Sequence, residues 1–146
     1  MIDPDVRSAE PADVQQLNLL ESEARASVAG KRGGDRWLTT HPERGAAWET
    51  SIDQETVLVS HIGDVLVGYL VLTTSDLVAA VEDVYVAPEA RELGFGDAMI
   101  EMALAAARSA GCKLFEGSAL PGDRETKNLY ERAGIKARLI TVSTPI

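Results

Sequence analysis

Residues 84–98 read VYVAPEARELGFGDA. Arg91 stands three residues before Gly94, and Gly96 follows one residue later. A β-rich run precedes this Arg-x-x-Gly-x-Gly spacing and a helix-periodic run follows it. The first turn of a helix carries backbone N–H groups without intrahelical acceptors and a partial positive charge. Glycines at that junction let a phosphate approach the backbone closely. The spacing predicts a pyrophosphate cradle with N–H donors from Leu93, Gly94, Phe95, Gly96, Asp97 and Ala98. Glu92 lies in the same turn, and Arg91 adds charge at the mouth. Two other phosphate motifs do not fit. The dinucleotide fingerprint needs a third glycine where Met99 stands, and the NTPase loop needs Gly-Lys-Ser/Thr where Gly96 precedes Asp97-Ala98. A tight strand-to-helix turn would also use two glycines, but the arginine and the strand–helix setting favour the cradle.

The elements that hold this junction follow from periodicity and turn chemistry. Residues 6–9 predict a first strand. Pro11 then opens a helix with Val14, Leu17, Ala24 and Val28 on its buried stripe. Residues 29–36, AGKRGGDR, break that helix as a loop, and a second short helix is expected around Ala46-Ala47-Trp48. Residues 56–61, 65–74 and 77–87 predict an antiparallel meander turned at Gly63-Asp64 and Ser75-Asp76. Ile100, Ala103, Leu104 and Ala107 recur at helical spacing up to Gly111. A strand over 113–119, a helix over 124–133 ended by Gly134, and a last strand over 137–143 complete the order. This is an α/β sandwich with a mixed sheet.

The 146 residues fit one domain, and 45% of them are apolar. No stretch reaches the roughly 18 apolar residues of a membrane span. The N-terminal MIDPDVRSAEPAD lacks a leader pattern, and Cys112 is the sole cysteine, which points to the cytoplasm. Fourteen basic against 23 acidic residues give a net charge of −9. That disfavours nucleic acid and suits a cationic or amine substrate. His41 and His61 lie far apart without ligand-like neighbours, so no metal site is expected. Cys112 reads as a small packed residue. Trp37 and Trp48 read as core packing in preference to an acceptor wall.

With these elements in order, the chain resembles the GNAT superfamily of acyl-CoA N-acyltransferases over nearly its whole length. VEDVYVAPEARELGFGDAMIEMAL is similar to the family's strand, Arg/Gln-x-x-Gly-x-Gly/Ala, helix pattern, and NLYERAGIKAR is similar to its LYExxGF segment. The resemblance implies a GNAT-like mixed central sheet with helices on both faces, one domain over residues 1–146, and one closing strand after the last helix. It implies that the cradle binds the pyrophosphate of acyl-CoA. It also implies that Val84, Tyr85 and Val86 splay from the strand at 114–117, pair with the pantetheine arm, and place backbone N–H groups against a developing oxyanion.

Tyr130 matches the family tyrosine that protonates the departing thiolate. Asp123 stands where many members carry Asn, and helix capping is its favoured role. Lys127, Asn128 and Arg124 are within the range of positions that reach CoA. A base for the amine would be Glu82 or Glu116. By strand alternation Glu82 shares a face with Val84 and Val86, with Asp83, the weaker candidate, opposite. The departures are the 12 residues after Gly134, which offer one strand, and Leu120-Pro121-Gly122, which lengthen the segment before Tyr130. The resemblance implies an N-acetyltransferase that uses acetyl-CoA without a metal and acts on a primary amine by direct attack, with no membrane partner. A homodimer through the last strand is also expected, because an open edge invites pairing. The alternatives are a non-catalytic CoA-binding or regulatory domain and a dimeric interaction module. The acceptor is left open.

Overall fold

The computed structural model describes residues 3–146. Its sheet has five strands in the order β1-β2-β3-β4-β5: Asp5–Ser8, Thr56–Ile62, Val65–Ser75, Val78–Val86 and Leu114–Gly117. The first four pair antiparallel, and β5 pairs parallel to β4. A two-residue turn at Asp76 and Leu77, both with positive φ, joins β3 to β4. β3 is central, and its apolar run from Leu66 to Leu72 is buried on both faces.

Among the described residues five α-helices cover the sheet. α1 (Val14–Val28), α2 (Gly34–Thr40) and α3 (Trp48–Gln54) precede β2, α4 (Phe95–Ser109) links β4 to β5, and α5 (Arg124–Arg132) follows β5. Leu17, Leu20 and Ala24 of α1 and Trp48 of α3 pack on one sheet face with Val57, Val59, Tyr69, Val71 and Tyr85. Met99, Ile100, Ala103 and Ala107 of α4 and Leu129 and Tyr130 of α5 pack on the other face with Leu58, Leu70, Leu72, Ala79 and Val81. Trp48 is fully buried, whereas Trp37 stacks on His41 with ring centroids 4.3 Å apart.

Two expectations change. The segment before β2 forms two helices, because Gly33 and Gly34 end the loop early enough for α2 to start. Residues 137–143 form no strand. β5 has only β4 as a neighbour, so its outer edge is unpaired, and a β-prone segment without a partner strand does not hold extended pairing. Leu139, Ile140 and Val142 are consequently more than four-fifths exposed.

Candidate active site

β4 and β5 pair over four residues only, from Val78 opposite Leu114 to Val81 opposite Gly117. β4 runs on to Val86 beside β3, while β5 stops. From Glu82 onward the β5-facing edge of β4 therefore has no strand partner, and the two strands make a fork.

A β-bulge shapes that fork. Val71 pairs with Asp83 and Leu72 with Val81, which leaves Glu82 as the extra residue. A bulge re-aims the side chains after it. Val81, Val84 and Val86 accordingly pack on the α4/α5 face, while Tyr85 packs on the α1/α3 face. The alternation expected for Glu82 fails for this reason. Glu82 does not share a face with Val84 and Val86, and its Oε1 accepts a hydrogen bond from Thr73 Oγ1 at 3.1 Å. Glu116 lies opposite Ala80, next to Phe115 of the α4/α5 core, and so points exposed to the α1/α3 face.

Asp83 belongs to a buried cluster on the α1/α3 face. Its Oδ2 accepts from Arg44 Nη1 at 3.0 Å and from the Tyr69 hydroxyl at 2.9 Å. Arg44 Nη1 also donates to Glu21 Oε2 at 2.6 Å, and the Arg44 backbone N–H donates to Glu21 Oε1 at 2.9 Å. The guanidinium lies 4.7 Å above the Trp48 ring. Burial, with the Asp83 charge second, pushes the Tyr69 hydroxyl well above its ordinary range. Glu21 and Arg44 carry no motif that marks them in the sequence. Glu21 falls in the segment read as the first helix and Arg44 just before the short helix expected around Ala46-Ala47-Trp48, and only their opposite charges hint at a pair.

Tyr130 approaches the fork from the α4/α5 face. It is 8% exposed, and its hydroxyl has no hydrogen-bond partner among the described residues. Burial pushes this hydroxyl up from 10, and the charges of Asp83 and Asp123 add to the effect, so it stays protonated at neutral pH. A Cβ on Gly117 would lie 2.2 Å from it, which locates the hydroxyl under the last residue of β5. The helix that carries Tyr130 is capped as expected: Asp123 Oδ1 accepts from the Thr126 N–H at 3.1 Å, and Oδ2 accepts from Thr126 Oγ1 at 2.7 Å. Lys127 and Asn128 stand exposed on the same helix.

At the cradle, Gly94 is the residue before α4 and has φ 88°. That left-handed backbone is open to glycine and strained for other residues. The N–H groups of Phe95, Gly96 and Asp97 are first-turn donors without helical acceptors. Ala98 is a correction, because its N–H is taken by the Gly94 carbonyl at 3.0 Å. Arg91 is tied to the end of β4 beside the cradle: its Nε donates to the Val86 carbonyl at 3.0 Å, and its guanidinium lies 5.8 Å from the Tyr85 ring centre. A Cβ on Gly96 would meet Leu129 Cδ1 at 3.1 Å and Val86 Cγ2 at 3.6 Å, so the glycine lets β4, α4 and α5 come close together here. Asp97 would oppose an anion here, and Arg132 Nε offsets it at 2.9 Å.

The family model described as acetyltransferase (GNAT) family matches residues 17–135. The chain belongs to the GNAT acetyltransferase family. A search of curated protein sequences finds no match. Among solved structures, the tetramutant of the Bacillus halodurans BH1408 protein superposes with a TM-score of 0.78 at 16% identity, covering 100% of each chain. AAC(6')-Iy, solved with the bisubstrate analog CoA-S-monomethyl-acetylneamine, gives 0.72 at 15% identity, over 99% of this chain and 100% of that one. The ribosomal-protein-alanine N-acetyltransferase from Brucella melitensis biovar Abortus 2308 gives 0.70 at 16% identity, over 99% and 100%. These likenesses fix the GNAT fold, a five-stranded mixed sheet with helices on both faces. Among the described residues no helix is long and apolar enough to cross a membrane, and no three His, Cys, Asp or Glu side chains cluster as metal ligands.

Proposed function

We propose that the protein is an N-acetyltransferase that uses acetyl-CoA and passes the acetyl group to a primary amine by direct attack. One observation carries this reading: a buried tyrosine hydroxyl without a partner stands at the base of the unpaired β4 edge. Gly96, which packs closely on Leu129 and Val86, lies between that edge and the first-turn N–H groups of α4, and such donors suit the pyrophosphate of a CoA thioester. Relatives solved with CoA or a CoA bisubstrate analog support the same donor. Bound there, acetyl-CoA supplies an acetyl group activated as a thioester.

The chain's own residues then have distinct tasks. The N–H groups of Phe95, Gly96 and Asp97 receive the pyrophosphate, with Leu93 and Gly94 shaping the turn and Lys127 and Asn128 flanking it. The β5-facing edge of β4 along Val84, Tyr85 and Val86, where Arg91 already holds the Val86 carbonyl, takes the pantetheine arm, and a free N–H there stabilises negative charge on the acyl oxygen. Arg91 steadies the end of that strand. Tyr130 delivers its proton to the departing sulfur. A carboxylate on the opposite face of the fork takes the proton from the amine, and Glu82, Glu116 and Asp83 all stand there. We also assign the protein to the cytoplasm, as a single domain and a homodimer.

The test is thiol release from acetyl-CoA with purified protein and a panel of polyamines, aminoglycosides, amino acids and peptides. Turnover with at least one amine is expected. Tight CoA binding without thiol release for any amine would make the chain a binding module instead.

A further inference from the structure

The cluster beneath the fork is out of charge balance. Glu21 and Asp83 bring two carboxylates, and Arg44 is the one cation within ion-pair distance of either among the described residues. The Glu21 side chain is 2% exposed and that of Asp83 11%. A buried carboxylate without a compensating cation is costly, so this arrangement favours uptake of one more positive charge.

The hydrogen bonds show where that charge would sit. Both oxygens of Glu21 accept from Arg44, and Oδ2 of Asp83 accepts from Arg44 and Tyr69. Asp83 Oδ1 has no protein donor among the described residues. It is also not sealed, since the sealed and unpartnered side-chain atoms are Trp48 Nε1, Ser60 Oγ and the Tyr130 hydroxyl. Asp83 is the first residue after the bulge, on the β4 edge that β5 has left. From the other face, Tyr130 brings to the same fork a hydroxyl that is buried and without a partner.

We propose that Asp83 Oδ1 is the docking atom for the acceptor's ammonium group, and that Arg44, Tyr69 and Glu21 are positioning residues that hold this carboxylate in place. The acceptor is then a cationic primary amine that completes the cluster's charge as it enters. The inference rests on the acyl-transfer reading for the acceptor's identity, but the cation site stands on the cluster alone. Exposed Glu82 and Glu116 lie on the same face, so a compact diamine suits the approach.

The probe is 1,4-diaminobutane, with 1,4-butanediol as its neutral counterpart at equal ionic strength, titrated into the full chain and followed by amide NMR. Saturable shifts at residues 82–84 and 44 are expected with the diamine and none with the diol. Asp83→Asn keeps the shape and removes the charge, and it should weaken the diamine at least tenfold. Glu21→Gln removes a charge that cannot touch the ligand and should weaken it several-fold. A purely structural cluster would leave the diamine indistinguishable from the diol in the native protein. That result overturns the proposal even if a variant fails to fold, as does equal diamine affinity in a folded Asp83→Asn. CoA titration of the same samples separates the two readings. CoA binding without diamine binding sinks the cation site alone, whereas diamine binding without CoA binding supports the site and sinks the acyl-transfer reading.

Discussion

Gly117 and Tyr130 are fitted to one another: a Cβ on residue 117 would lie 2.2 Å from the tyrosine hydroxyl and 2.6 Å from Cζ. The last residue of β5 can therefore carry no side chain while the ring keeps its place. Gly117→Ala should push the Tyr130 hydroxyl out of the fork and lower kcat. Tyr130→Phe, which keeps the ring, should lower kcat by about 10²–10⁴ with little change in the KM for acetyl-CoA. Steady-state kinetics on both variants is the check. Wild-type kcat in Tyr130→Phe would leave the ring as packing only.

The close packing at Gly96 gives a binding prediction. A valine there has to displace Leu129 Cδ1, the mobile end of a side chain, so the fold should survive. Its methyl groups would then crowd the junction of β4, α4 and α5 beside the first-turn N–H groups. Gly96→Val should abolish CoA binding in calorimetry while circular dichroism stays native, and Gly96→Ala should give a smaller loss. Unchanged affinity in folded Gly96→Val would remove the cradle assignment.

The order of strands, the α4 junction and the Asp123 cap were legible because each is local: a turn pair, a period, one residue before a helix. The fork was legible only through the family resemblance. The face of Glu82 was not, because the bulge comes from the register of β4 against β3 and leaves no local mark. The Asp83 cluster was equally hidden, since Arg44 lies 23 residues from Glu21 and 39 from Asp83 in sequence. The segment 137–143 misled for the opposite reason: its β propensity is real, but propensity does not dock it on the open edge of β5 within its own chain.

The junction of β1 and α1 predicts a pH dependence. Asp13 accepts from Arg7 at 2.7 and 2.9 Å and from the Glu10 N–H at 2.8 Å. The Arg7 hydrogen bonds, above all, hold its carboxyl below the ordinary range against the opposing effect of burial. A depressed folded value means that the stabilisation is complete above the unfolded carboxylate value near 4 and is lost as pH falls through the folded value. Asp13→Asn should destabilise by roughly 1 kcal/mol at pH 7, at the low end for charged hydrogen bonds because Arg7 is partly solvated. The gap between the melting curves should close as pH falls through that depressed folded value. A gap independent of pH would assign the loss to packing.

The last prediction concerns assembly. The outer edge of β5 is unpaired, and Leu114 on that strand is exposed. Leu139, Ile140, Val142 and Ile146 present large apolar side chains to solvent along one β-prone segment. An open edge and an exposed apolar segment satisfy each other if the segment of one copy pairs with β5 of another. Two-fold closure would make both exchanges at once, and it is the commonest symmetry of soluble oligomers. Light scattering at micromolar concentration should give a dimer mass, and Ile140→Asp with Val142→Asp should shift it toward the monomer without loss of helix signal. A native mass near the 15.6 kDa of one chain at every concentration up to crystallisation conditions would defeat the proposal.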